Sequence, residues 1–271
     1  RMIKSGFLFI LFLFSVTAQS AIFGDGNPDN GIEDQRQSAP KKLLKSVGTV
    51  FCDGSLRGTA AHIETTANKE QSIILTAAHV LFNNETGEAF KHCSYRPENQ
   101  RLSGIDFAAI SKHQYQPLSK NKIRQSETDI VFVALQKRTY QKNLKLTLLN
   151  NTAGNELQLL GYNADSQEIS LSSHCMDFSS EAFISEQLLL HNCDALSGAS
   201  GGPIIMATEK GNNAGIIAVH GGTLFNTDSA VAGAKVNPGK WINQARKVDK
   251  ALLNQLEQFL AYLAKDFPSQ K

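Results

Sequence analysis

No sign of charge dominates this chain. Its 27 basic and 25 acidic residues leave a formal surplus of +2, and Arg1 and Lys4 at the extreme N-terminus account for both units. The remainder is balanced, which excludes the broad basic field expected of a nucleic-acid-binding protein. No apolar run approaches the roughly 20 residues that a membrane-spanning helix needs. Strand-like segments do not alternate with helical ones, so a parallel sheet built from βαβ units is excluded. Metal-ligand spacing such as His-x-x-x-His is missing too: His62, His92, His113, His174 and His191 are scattered singly and read as surface or satisfied core residues. No metal and no cofactor is therefore expected, and 271 residues can bury a core without either.

What is there divides into four stretches. Residues 1–20 carry a basic start, the apolar run Phe7–Phe14 and the small-residue site Ala18-Gln19-Ser20, the pattern of a secretory signal peptide, with Met2 as the natural initiator. Residues 21–44 are polar and turn-rich, with little to bury, and read as a loose N-terminal arm or a propeptide. Residues 45–236 form the main domain. Short apolar runs there, clearest at Ser72–Leu75, Ile130–Leu135, Leu157–Tyr162, Gln187–His191, Ile204–Met206 and Ile216–His220, are separated by Gly, Asn, Ser and Asp clusters. That pattern predicts an all-β domain closed into antiparallel barrels, with no convincing internal helix. In residues 237–271, Asn237-Pro238 reads as a helix start, and Ala245, Val248, Leu252, Leu256, Phe259 and Leu263 recur at helical spacing. This predicts a C-terminal amphipathic α-helix, packed on the barrel or presented to a partner. The four cysteines suit two disulfides in an exported chain; the count allows three connectivities, and sequence order favours Cys52 with Cys93 and Cys175 with Cys193.

Three segments carry chemistry. In Gly198-Ala199-Ser200-Gly201-Gly202-Pro203 a glycine two residues before a serine permits a sharp turn, so that the N–H groups of Gly198 and Ser200 can converge beside the hydroxyl. Such a serine needs a histidine base and a carboxylate that fixes the histidine tautomer. His79, in Thr76-Ala77-Ala78-His79, follows a short apolar strand, and Asp129 stands at the mouth of the apolar run Ile130–Leu135.

In this order, the three segments resemble the signature segments of trypsin-like serine peptidases, over roughly residues 47 to 236. The resemblance implies two six-stranded antiparallel β-barrels with a cleft between them. It also implies His79 as general base, Asp129 as orienting acid, Ser200 as nucleophile and the Gly198 and Ser200 amides as oxyanion hole. Cys193-Asp194 ahead of the serine and His220-Gly221-Gly222 after it are similar to secreted bacterial glutamyl endopeptidases, which implies a secreted or periplasmic bacterial enzyme. Ala199 stands where trypsins have the aspartate that pairs with a new N-terminus, so that activation switch is not expected.

The pocket is less specific. Asp194 sits at the offset of the trypsin pocket carboxylate, which implies Arg or Lys at P1, the residue before the scissile bond; Cys193 directly before it implies instead an aspartate that caps backbone. His220 matches the histidine that reads acidic P1 residues, yet the hydroxyl residue expected five positions before the nucleophile is Ala195, which leaves a small or apolar P1 residue as a third reading. The expected partners are protein or peptide substrates, added as a short strand near His220–Thr223, with a catalytically silent binding protein on the same fold as the alternative.

Overall fold

The computed structural model describes residues 34, 36–65, 71–98, 104–139, 143–148, 156–177, 185–206, 215–224 and 242–266. The signal-peptide pattern, the first part of the arm and the helix start expected at Asn237-Pro238 lie outside them.

Six strands close into a barrel: β2 (Val47–Cys52), β3 (Ser55–His62), β4 (Ile73–Thr76), β5 (Ser94–Pro97), β6 (Ile105–Ile110) and β7 (Val131–Leu135), in the order β2-β3-β4-β7-β6-β5. The β2–β3 hairpin turns on Asp53-Gly54, both at positive φ (51° and 76°), the conformation that a two-residue turn matched to strand twist requires. Val47, Val50, Ile74, Leu75, Phe132 and Leu135 fill the core of this barrel.

The second body is an antiparallel sheet of seven described strands: β1 (Arg36–Ser38), β8 (Leu157–Asn163), β9 (Glu168–Cys175), β10 (Leu188–His191), β11 (Pro203–Met206), β12 (Ile216–Leu224) and β13 (Ile242–Lys247), in the order β1-β9-β8-β11-β12-β13-β10. The bridge Asp177↔His191 joins the chain just after β9 to β10, and the Cys175–Cys193 disulfide links the same neighbourhood. Where two closed six-stranded barrels are expected, one closes among the described residues; the second body is this seven-stranded sheet, its ends linked only by the Asp177↔His191 bridge and that disulfide, with β1 as an added edge strand. The other disulfide joins Cys52 to Cys93, so both pairings favoured by sequence order are present.

Three local expectations are corrected. Part of the arm is ordered: β1 pairs with β9, and Arg36 ion-pairs with Asp34 and Asp165 at 2.7 Å each. Edge pairing uses backbone groups and needs no apolar side chains, so composition does not reveal it. The arm also carries α1 (Lys41–Leu44), and helices do occur inside the domain: the 3₁₀ turn Ala78–Leu81 and α2 (Lys122–Glu127), whose N-cap Asn121 accepts the Arg124 N–H at 3.0 Å. Each is too short to show a helical period. Finally, Ala245 is in β13 and Val248 in the link after it; the C-terminal helix α3 covers Lys250–Asp266. Residues 242–246 are buried along their length because β13 sits between β12 and β10, and that tertiary slot overrides the helical spacing. Leu252, Leu256, Phe259 and Leu263 of α3 are buried in the first core, and Gln255 donates to the Lys112 carbonyl at 2.8 Å. No helix among the described residues is long and apolar enough to cross a membrane.

Burial pushes His62 and His220 down to about 3 from 6.5. Their folded values lie below the unfolded one, so the unfolded chain takes up the extra protons between them. The stability they confer is full above pH 6.5 and falls as the pH drops toward about 3. Each histidine should contribute a slope of about 1.4 kcal/mol per pH unit across that window. Urea unfolding at stepped pH should show this loss, and His62→Gln should remove one histidine's share of the slope.

Candidate active site

His79 lies in the 3₁₀ turn that follows β4. Its Nδ1 is 2.6 Å from Asp129 Oδ2, and its backbone N–H donates to Asp129 Oδ1 at 2.8 Å. Both carboxylate oxygens are thus engaged by one residue, with the His79 side chain 19% exposed and Asp129 only 6%. Asp129 caps the end of α2 through its N–H to Ser126 O at 3.2 Å and leads directly into β7, which pairs with β4. Burial lowers the His79 pKa, but the adjacent Asp129 charge and its hydrogen bond outweigh it and leave the net shift upward.

The Ser200 loop is held against the same segment. Gly198 (φ 100°) and Gly201 (φ 84°) occupy backbone conformations that favour glycine. Gly201 N–H donates to His220 O at 2.8 Å, and His220 N–H returns to Gly202 O at 2.9 Å. From the first barrel, Thr59 N–H donates to Ser200 O at 2.8 Å and Thr59 Oγ1 to Gly198 O at 2.8 Å. A side chain on Gly58 would begin 2.6 Å from both Ser200 O and Val80 Cγ2, and one on Gly201 would begin 3.1 Å from Ala77 N, so the serine loop abuts the His79 turn on both flanks. The amides of Gly198 and Ser200 have no acceptor among the described residues. No hydrogen bond joins Ser200 Oγ to His79 among those residues; such bonds commonly tighten only when substrate fills the cleft.

Around this centre, Ala195 and Ala199 are fully buried, and a side chain on Gly161 would start 2.7 Å from Ala199 Cβ, so position 199 is packed by apolar contact. Asp194 is buried and its N–H donates to Ser172 Oγ at 2.8 Å. Gly221 and Gly222 follow His220 in β12, Gly222 at φ 115°. Sequence reasoning overlooked His191. The Cys193 N–H donates to its Nδ1 at 3.2 Å, so its Nε2 carries the proton and donates to His220 Nδ1 at 3.2 Å. His220 Nε2 is then a donor, buried and without a partner among the described residues. Nothing in the spacing of two histidines 29 residues apart signals this pair, which β10 and β12 bring together through β13.

No protein-family model matches the chain, and no curated protein does. Solved structures do match. A Glu endopeptidase, solved in complex with MPD, superposes with a TM-score of 0.61 at 18% identity, over 84% of this chain and 98% of its own. The protease Anisep from Arthrobacter nicotinovorans gives 0.58 at 15% identity, over 83% and 99%. The chain has the trypsin-like fold. A human heparin binding protein shares this trypsin-like fold, with a TM-score of 0.55 at 14% identity, over 87% of this chain and 98% of its own.

NMR titration of the His79 ring should give a midpoint above 6.5. In Asp129→Asn the two raising effects disappear while burial remains, so the midpoint should fall below 6.5; an unmoved midpoint would contradict the assigned cause.

Proposed function

We propose that the protein is a serine endopeptidase in which His79, Asp129 and Ser200 form the catalytic triad. The observation that carries this reading is the double contact between His79 and Asp129, at 2.6 and 2.8 Å. It keeps the proton on Nδ1 and leaves Nε2 as the base. His79 Nε2 takes the Ser200 Oγ proton as Oγ attacks the substrate carbonyl carbon. The Gly198 and Ser200 amides receive the oxyanion, the C–N bond breaks, and His79 passes its proton to the leaving amine. Water then repeats the sequence on the acyl-enzyme. Two disulfides support an extracellular or periplasmic location, in keeping with the N-terminal export pattern.

The buried, unpartnered Nε2–H of His220, directed by His191, supports a P1 pocket that accepts a carboxylate. An unpaired buried donor is costly unless a ligand satisfies it, and the similar Glu endopeptidase fits that chemistry. The burial of Asp194 and the hydrogen bond on its N–H support its structural reading.

Fluorophosphonate should label the folded wild type and not Ser200→Ala. Asp129→Asn should retain the fold and lose about 10⁴ in kcat. Because only neutral His79 acts as base, kcat/KM should fall with decreasing pH on a limb centred above 6.5. Digestion of a peptide library should give Glu or Asp at P1; Lys or Arg there would transfer the pocket to Asp194. Absence of labelling in folded protein would reject the peptidase and leave a binding protein on this fold.

A further inference from the structure

β3 passes directly beside the reactive loop and carries a bulge there. Val50 pairs with Gly58 and Phe51 with Leu56, so Arg57 is the extra residue with no partner opposite it. Bulges next to active sites commonly re-aim a side chain. The neighbours of Arg57 locate it: Gly58 approaches Ser200 O and Val80, and Leu56 Cδ2 lies 3.4 Å from where a side chain on Gly198 would begin. The Arg57 guanidinium stacks on Phe90 with Cζ 3.8 Å from the ring centroid. Phe90 belongs to the loop returning from the His79 turn, tied to it by its N–H to Leu81 O at 2.9 Å. Arg57 Nε is buried with no hydrogen-bond partner, and no acidic side chain among the described residues pairs with this cation. Asp53, in the preceding turn, is occupied in accepting the Lys91 N–H at 3.1 Å. A second cation, Arg96, stacks on Phe51 at 3.9 Å, and Phe51 is the residue opposite Leu56.

A partly buried guanidinium held flat by an aromatic ring is preorganised to receive a carboxylate in a planar, two-pronged contact. The direction of the substrate says which part supplies it. In the proposed binding mode the acyl side of a substrate peptide would add along β12, where Gly201 N–H donates to His220 O and His220 N–H to Gly202 O. Its leaving side would then cross the opposite flank of the Ser200 loop, where Thr59 of β3 donates to Ser200 O and Gly198 O and Arg57 stacks on Phe90. We propose that Arg57 forms a carboxylate-reading subsite there, so that the protease favours substrates with Asp or Glu shortly after the scissile bond. This rests on the peptidase reading and adds a specificity that the triad and the P1 pocket do not supply.

Paired peptides that share the preferred P1 residue and differ only by Asp or Asn after the scissile bond test it. Wild type should cleave the Asp member with about fivefold higher kcat/KM at low salt, the gain lying in KM, and the ratio should shrink in about 0.5 M NaCl. R57Q should bring the ratio close to one, R57K should keep part of it, and R57E should turn it against Asp. Fluorophosphonate loses only fluoride and has no downstream residues, so labelling reports fold and nucleophile separately. A wild type that labels yet shows a ratio of one overturns the subsite alone. A ratio unchanged in a labelling R57Q overturns the assignment to Arg57. If R57Q does not label, wild type against R57K still decides, with an unchanged salt-insensitive ratio counting against Arg57. A folded wild type that does not label overturns the peptidase reading itself.

Discussion

A carboxylate taken out of water must be compensated where it lies, and at Asp129 one residue provides that compensation. His79 gives it two hydrogen bonds, from ring and backbone, in a site sheltered enough that the ionic attraction is weakly screened. The contact can form only if β4 and β7 are neighbours in register, since each strand delivers one partner at its end. The other body supports it as well. Arg246 of β13 donates to Glu127 O at 2.7 Å, two residues before Asp129, and pairs with Asp249 at 2.8 Å ahead of α3. The C-terminal segment thus braces the turn that leads to Asp129.

The serine loop obeys a second constraint: it must expose donors while anchoring its carbonyls. Thr59 takes a central part, because its hydroxyl donates to Gly198 O and accepts the Tyr162 N–H at 2.9 Å, while its N–H holds Ser200 O. One threonine of the first barrel therefore ties the reactive loop to β8 of the second sheet. The glycines on either side are there for conformational and steric reasons, since Gly201 would collide with the Thr59 carbonyl if it carried a side chain. Behind the loop, burial disfavours charge on His191 and His220, reinforced at His191 by His220 and at His220 by His79, which lets the two neutral rings act as a directed chain of donors.

Much of this was legible from residues alone. The six strand candidates are strands, the two disulfides join the cysteines in sequence order, and the segments around His79, Asp129 and Ser200 lie against one another. Those features are local: alternating or continuous apolar runs, turn residues, and short motifs whose chemistry needs adjacent residues. β13 was misread because Ala245 and Val248 happen to continue the period of α3, and only the slot between β12 and β10 shows that residues 242–247 belong to the sheet. The arm was undervalued because edge pairing leaves no mark in composition.

The sequence by itself determined the all-β class, the order of the His79, Asp129 and Ser200 segments and the amphipathic helix at the end, since each depends on residues close together in the chain. Tertiary structure alone decided that His191 sets the tautomer of His220, that Arg246 braces Asp129, and that Arg57 bulges out beside the Ser200 loop with no acid among the described residues to pair it. Those are relations between groups far apart in sequence or effects of strand register, and their energies depend on burial, which no spacing of residues encodes.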